Sequence, residues 1–120
     1  MRNPEFSLDI SNLDIFDSGN VENAQENRSD LELAHQQLIH RLTEIYTIPK
    51  ATPFVIGGGN DQSFPNGYSL LHFAAQGNKK VGVINIDAHL DVRPLKEGKT
   101  HSGSPFFQLL TCGWLITPFL

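Results

Sequence analysis

Two short apolar runs, Pro53-Phe54-Val55-Ile56 and Val81-Gly82-Val83-Ile84-Asn85-Ile86, bracket a glycine triplet and a helical stretch. That order constrains the fold more than any other feature. Each run is brief and apolar, as buried parallel strands are, and the second meets charge at once at Asp87. Between them Gly57-Gly58-Gly59 leads into a helix expected over roughly Ser63 to Gln76. Leu70, Leu71, Phe73, Ala74 and Ala75 are its apolar content, and Gly77-Asn78 its stop. Strand, glycine turn, helix and strand make one βαβ unit, which should cross over right-handed. In such a unit both strand ends emerge on one edge, where open α/β sheets place their ligand sites. Asn60-Asp61 should therefore lie near Asp87-Ala88-His89-Leu90-Asp91.

If the extended geometry persists past Ile86, the period of two sends Asp87, His89 and Asp91 to one side and Ala88 and Leu90 to the other. Two carboxylates and an imidazole held together are costly unless a divalent cation neutralises them and orients the ring. Such a donor set suits Mn, Zn or Fe(II) better than Mg or Ca, because imidazole is the softer donor. The plainer reading is a strand end with solvated acids and a hydrogen-bonded histidine. The glycine triplet has two readings as well. It could cradle a phosphate at the helix N-terminus, although it matches neither the lysine-bearing phosphate loop nor the dinucleotide fingerprint. Otherwise it is a tight turn with Asp61 as the helix cap.

The rest of the chain frames this unit. Residues 1–28 form a polar segment, with one alternating patch at Leu13-Asp14-Ile15-Phe16-Asp17 that could make a short edge strand before Ser18-Gly19-Asn20 turns the chain. Ser29 and Glu32 fit a capping box. Leu31, Ala34, Leu38, Leu42 and Ile45 then trace one face of a helix running to about Tyr46 and stopping before Pro49. His35 and His40 are expected on its solvated side, and His72 is expected to be a structural histidine. Residues 92–102 form a polar connection, in which Arg93 could pair a carboxylate in bidentate fashion and His101 could shuttle protons near neutral pH. Ser104-Pro105-Phe106-Phe107-Gln108-Leu109-Leu110 starts a third helix with an early proline. Residues 111–120 make an atypical apolar tail containing Trp114, Leu115, Ile116, Phe119 and Leu120, with nothing after it to cover them. The expected organisation is a polar segment at 1–28, a partial α/β domain at 29–110 and the tail, together part of a larger fold.

With 120 residues the chain has room for one domain and a modest core. A net charge of −4 with no basic cluster argues against nucleic acid and against an anionic membrane surface. The single cysteine, Cys112, excludes an internal disulfide and a cysteine-based zinc knuckle. Met1-Arg2-Asn3-Pro4-Glu5 lacks the apolar core of a signal peptide, and no run is long enough to span a bilayer, so a cytoplasmic location is expected.

Taken in order, Gly57-Gly58-Gly59-Asn60-Asp61, Asp87-Ala88-His89-Leu90-Asp91-Val92-Arg93-Pro94 and Thr100-His101-Ser102-Gly103-Ser104-Pro105 resemble the ureohydrolase family of arginases, agmatinases and formimidoylglutamases. The Asp-Val-Arg-Pro continuation is most similar to the formimidoylglutamases. The resemblance covers about residues 30 to 110. It implies a three-layer, parallel-sheet α/β fold of the arginase/deacetylase type, of which this chain represents the N-terminal half. It also implies hydrolysis of a C–N bond in a linear amidine such as formiminoglutamate, arginine or agmatine, by a hydroxide bridging two Mn2+ ions. By position, Asp87 would bridge both metals, His89 would bind one and Asp91 the other. Arg93 would hold a substrate carboxylate, and His101 would sit near the substrate as a proton relay. A homo-oligomer is implied as well. The chain departs from the pattern at Asn60, where the family has a metal-binding histidine, and it does not contain the later Asp-x-Asp motif. A neutral amide is a weaker ligand for Mn than imidazole. The expectation is therefore a partial ureohydrolase, inactive alone; the alternative is a non-catalytic interaction module of the same fold.

Overall fold

The computed structural model describes residues 12–21 and 31–112. Within them the chain forms α1 (Leu31–Tyr46), a 3-10 turn (Asn60–Gln62), α2 (Ser63–Gln76) and α3 (Pro105–Thr111). The capping box at Ser29 and the apolar cluster from Trp114 onward lie outside the described residues.

The helices begin and end where local chemistry directs. α2 runs directly out of the 3-10 turn and carries Pro65 in its first turn, where a missing N–H costs nothing. It ends as Asn78, at φ 52°, takes the left-handed conformation. There the Asn78 and Lys79 N–H groups donate to the Ala75 and Ala74 carbonyls at 3.1 and 2.9 Å. α3 starts on Pro105 and is only seven residues long.

α1 and α2 run parallel. The His35 ring lies 6.1 Å from Phe64 near the start of both helices, and Tyr46 stacks on Phe73 at 5.1 Å near the end of both. Parallel neighbours need a returning connection, and residues 47–59 supply it. Leu38 and Leu42 from α1, Pro65 and Ala74 from α2, and Pro105 and Leu109 from α3 are buried together with Ser69 and Ser104. Gly67 lets α3 approach α2, since a Cβ there would stand 2.8 Å from Leu109 Cδ1.

Among the described residues no strand is formed; the one β-bridge is an isolated antiparallel contact between Lys96 and Lys99. Residues 53–56 and 81–86, expected as strands, have no ladder partner, and most of their large apolar side chains are exposed, with Pro53, Val55 and Val81 half-buried. Phe54 is 89% exposed, Ile84 89% and Ile86 96%. A parallel strand is stable only when paired and covered on both faces, and neither condition is met here. The patch at residues 13–17 is likewise unpaired and exposed, although the turn after it forms, with Gly19 at φ 74° and its N–H on Asp17 Oδ1. No helix among the described residues is long and apolar enough to cross a membrane.

One local expectation is corrected. His35 is not on a solvated face; it is 5% exposed and bonded to Asp61, whereas His40 does lie in solvent beside Glu44. The signal was present, because His35 stands three and seven residues before Leu38 and Leu42 on the buried face. His72 is exposed on α2, its ring stacked near Tyr68.

Candidate functional site

The glycine turn and the acidic stretch meet. The Asn60 side-chain amide donates to Asp91 Oδ2, and Ser63 Oγ donates to Asn60 Oδ1 at 2.7 Å, which orients the amide. Asp87 borders the same open cleft as Gly57, Gly58, Gly59 and Asn60. The chain itself fills the space over two of the glycines. A Cβ at Gly57 would collide with the Gln62 side chain, and one at Gly59 with the Asp61 carboxylate. Gln62 is half-buried and can move aside, whereas Asp61 is buried and bonded to His35, so the crowding argues for glycine at position 59.

The acidic stretch does not continue as a strand. The His89 N–H donates to Asp87 Oδ1 at 2.8 Å, closing a local turn, and Asn85 Nδ2 donates to the His89 carbonyl at 3.1 Å. Asp91 is left-handed at φ 49°. These bonds break the alternation expected past Ile86, so Asp87, His89 and Asp91 do not converge. The His89 ring is 80% exposed, its Nδ1 3.5 Å from Asp87 Oδ1, while Asp91 turns to Asn60. Among the described residues no group of three or more His, Cys, Asp or Glu side chains is arranged to hold a metal ion. The donor types suit Mn, but as placed they do not fit a metal centre.

Asp61 points away from the cleft. It is buried, and its Oδ2 accepts from His35 Nε2 at 2.8 Å.

The polar connection is folded tightly onto α3. The Arg93 N–H donates to the Gly103 carbonyl at 3.0 Å, and the Phe106 N–H to the Asp91 carbonyl at 3.1 Å. His101 clamps this loop. Its Nδ1 accepts from the Gly103 N–H at 3.2 Å, which leaves Nε2 to donate to the Pro94 carbonyl at 3.0 Å. The two bonds together define the neutral Nε2–H tautomer. Ser104 Oγ both accepts from the His101 N–H and donates to the His101 carbonyl. The Arg93 guanidinium lies across Gly103, where any Cβ would collide with it, and it has no carboxylate partner among the described residues. Arg93, Lys96, His101 and Ser102 line one shallow depression.

A family model described as Arginase family matches residues 1–117. The chain belongs to the arginase family. That membership implies the arginase-like α/β fold. The chain is 37% identical over 106 residues to the formimidoylglutamase of Aeromonas hydrophila, covering 88% of this chain and 32% of that protein. It is 38% identical over 97 residues to that of Clostridium tetani, covering 79% and 28%, and 42% identical over 79 residues to that of Klebsiella pneumoniae, covering 66% and 23%. The chain thus spans about a third or less of the length of these curated relatives. No solved structure matches it. In this arginase-family chain Asn60 joins the glycine turn to the acidic stretch at Asp91, and Arg93 and His101 join that stretch's continuation to the loop before α3.

Proposed function

We propose that the chain is part of a ureohydrolase-type enzyme that hydrolyses a C–N bond of a linear amidine, with formiminoglutamate as the substrate class and arginine or agmatine as the next candidates. The observation that carries this reading is the Asn60–Asp91 contact, which joins the glycine turn to the acidic stretch. In the overall reaction a water oxygen bonds to the amidine carbon, the bond from that carbon to the glutamate nitrogen breaks, and the nitrogen takes a proton. Glutamate and formamide result. Arg93, with no carboxylate partner among the described residues, pairs the substrate carboxylate in this reading. His101 relays a proton only after releasing Pro94 or Gly103, because both ring nitrogens are bonded to backbone.

Asp87, His89, Asp91 and, weakly, Asn60 are the proposed Mn2+ ligands of the whole protein. As these residues are placed, the 120 residues hold the metal weakly at most and do not turn substrate over. A parallel sheet within a three-layer fold, a cytoplasmic location and a homo-oligomer complete the proposal. A second reading is favoured by Asn60: a non-catalytic module of the same fold, whose metal site has an amide where the family has a histidine.

The test is a chimera in which this chain replaces the matching stretch of the Aeromonas hydrophila formimidoylglutamase. Mn-dependent glutamate release that Asp87→Ala abolishes supports the enzyme. Activity that appears only with Asn60→His establishes the non-catalytic reading, and a folded chimera inactive with either residue refutes the enzyme. For the isolated chain, excess Mn should leave the melting midpoint unchanged. Metal present at about a hundred times its Kd would instead stabilise the fold by about 2.7 kcal/mol.

A further inference from the structure

The pair His35–Asp61 joins residues 26 positions apart, one on α1 and one in the turn before α2, and it takes no part in the Asn60–Asp91 contact. Both residues are buried, His35 at 5% and Asp61 at 8% exposure. A buried carboxylate without a partner is costly, so the imidazole fixes where Asp61 can sit. The two carboxylate oxygens are divided. Oδ2 takes the His35 bond, and Oδ1 lies over the Gly59 α-carbon, where a Cβ would collide with it. The His35 bond holds Asp61 in place, glycine at 59 leaves room for its Oδ1, and the residue before it, Asn60, is restrained through the backbone. On its other side Asn60 reaches Asp91.

We propose that His35 is a positioning residue for the candidate site: through Asp61 it sets the turn that aims the Asn60 side chain at Asp91. This rests on reading the Asn60–Asp91 contact as part of the site. His35 touches neither Asn60 nor substrate in this scheme. It sits on the same buried face as Leu38 and Leu42, so α1 acts as the rigid support from which the turn is held. The Phe64 ring, 6.1 Å from His35, packs beside the pair.

The test reads the Asn60 side-chain amide by nuclear magnetic resonance in the full chain, with no dependence on turnover. His35→Leu is expected to move both Asn60 amide-proton resonances towards their solvent-exposed positions, because the bond to Asp91 is lost. His35→Gln, which can still donate to Asp61, is expected to restore them. Leu42→Ala is the control for lost stability: it should lower the melting midpoint and leave the Asn60 resonances in place. If His35→Leu does not fold, His35→Gln against His35→Asn carries the same comparison, since both are polar and only the longer side chain reaches Asp61. Asn60 resonances unmoved when the reach is lost, or moved as far by Leu42→Ala, overturn the proposal. An inactive chimera overturns the enzyme reading and leaves this result standing.

Discussion

Alanine at position 67 sets two terms of opposite sign against each other. Gly67 lies inside α2, where replacing glycine by alanine gains about 1 kcal/mol of helix propensity. The new Cβ, however, would stand 2.8 Å from Leu109 Cδ1, 3.2 Å from Cδ2 and 3.6 Å from Cγ. Leu109 is 1% exposed, so it cannot swing into solvent, and overpacking of this kind costs about 1–3 kcal/mol. Taking the middle of that range, Gly67→Ala should destabilise the chain by about 1 kcal/mol. In a Leu109→Ala background the obstacle is gone, and the same substitution should stabilise by about 1 kcal/mol. The sign reversal amounts to a coupling of about 2 kcal/mol, within the range for residues in contact. Leu109→Ala alone costs about 2–5 kcal/mol, so all four proteins are compared in one concentration of a stabilising osmolyte. Urea unfolding followed by circular dichroism gives the four free energies. If Gly67→Ala stabilises equally in both backgrounds, α3 does not press on α2 at Gly67 and the packing argument fails. The outcome bears on the site because α2 leads out of the Asn60 turn while α3 anchors the loop that carries Arg93 and His101.

Two further predictions follow from exposure and burial. Ile86→Ser removes a side chain that is 96% exposed, so unfolding free energy should change by less than about 0.5 kcal/mol; a loss of 2 kcal/mol or more by urea titration would mean that residues 81–86 are a covered strand. Burial raises the pKa of Tyr46, whose ring stacks on Phe73. The folded state then keeps the phenolic proton at a pH where the unfolded chain, titrating at about 10, has lost it. Stability from this source is complete below that pH and falls as pH rises through the folded value. Tyr46→Phe should remove that alkaline loss, and identical pH profiles for the two proteins would refute it.

Much of the helical framework was legible because its causes are local. The glycine triplet, the apolar spacing after Ser63 and the Gly77-Asn78 stop lie within a few residues of what they control, and α2 runs from Ser63 to Gln76 as they direct. Asn60 does approach the acidic stretch, as expected, but Asp61 turns to His35, and the approach is made without the paired strands on which the expectation rested. His35 was misread because a histidine on a helix reads as solvated unless its face is counted against Leu38 and Leu42. The alternation of Asp87, His89 and Asp91 failed for a different reason. It assumed a strand, and an isolated extended segment gives way to the nearest side-chain-to-backbone bond, here Asp87 to the His89 N–H.

By itself the sequence determined the family, the helices and the donor types, since motif order, apolar period and residue chemistry are properties of neighbouring residues. Only the tertiary structure decided that Asp61 turns inward to His35, that His101 has both nitrogens engaged, and that Arg93 lies over Gly103. Each depends on which groups from separate segments reach each other; for the buried Asp61, a polar atom cut off from water takes whichever partner lies within bonding distance. The exposed apolar residues of 53–56 and 81–86 show the same dependence: their sequence favours strands, but a sheet requires partners that the described residues do not provide.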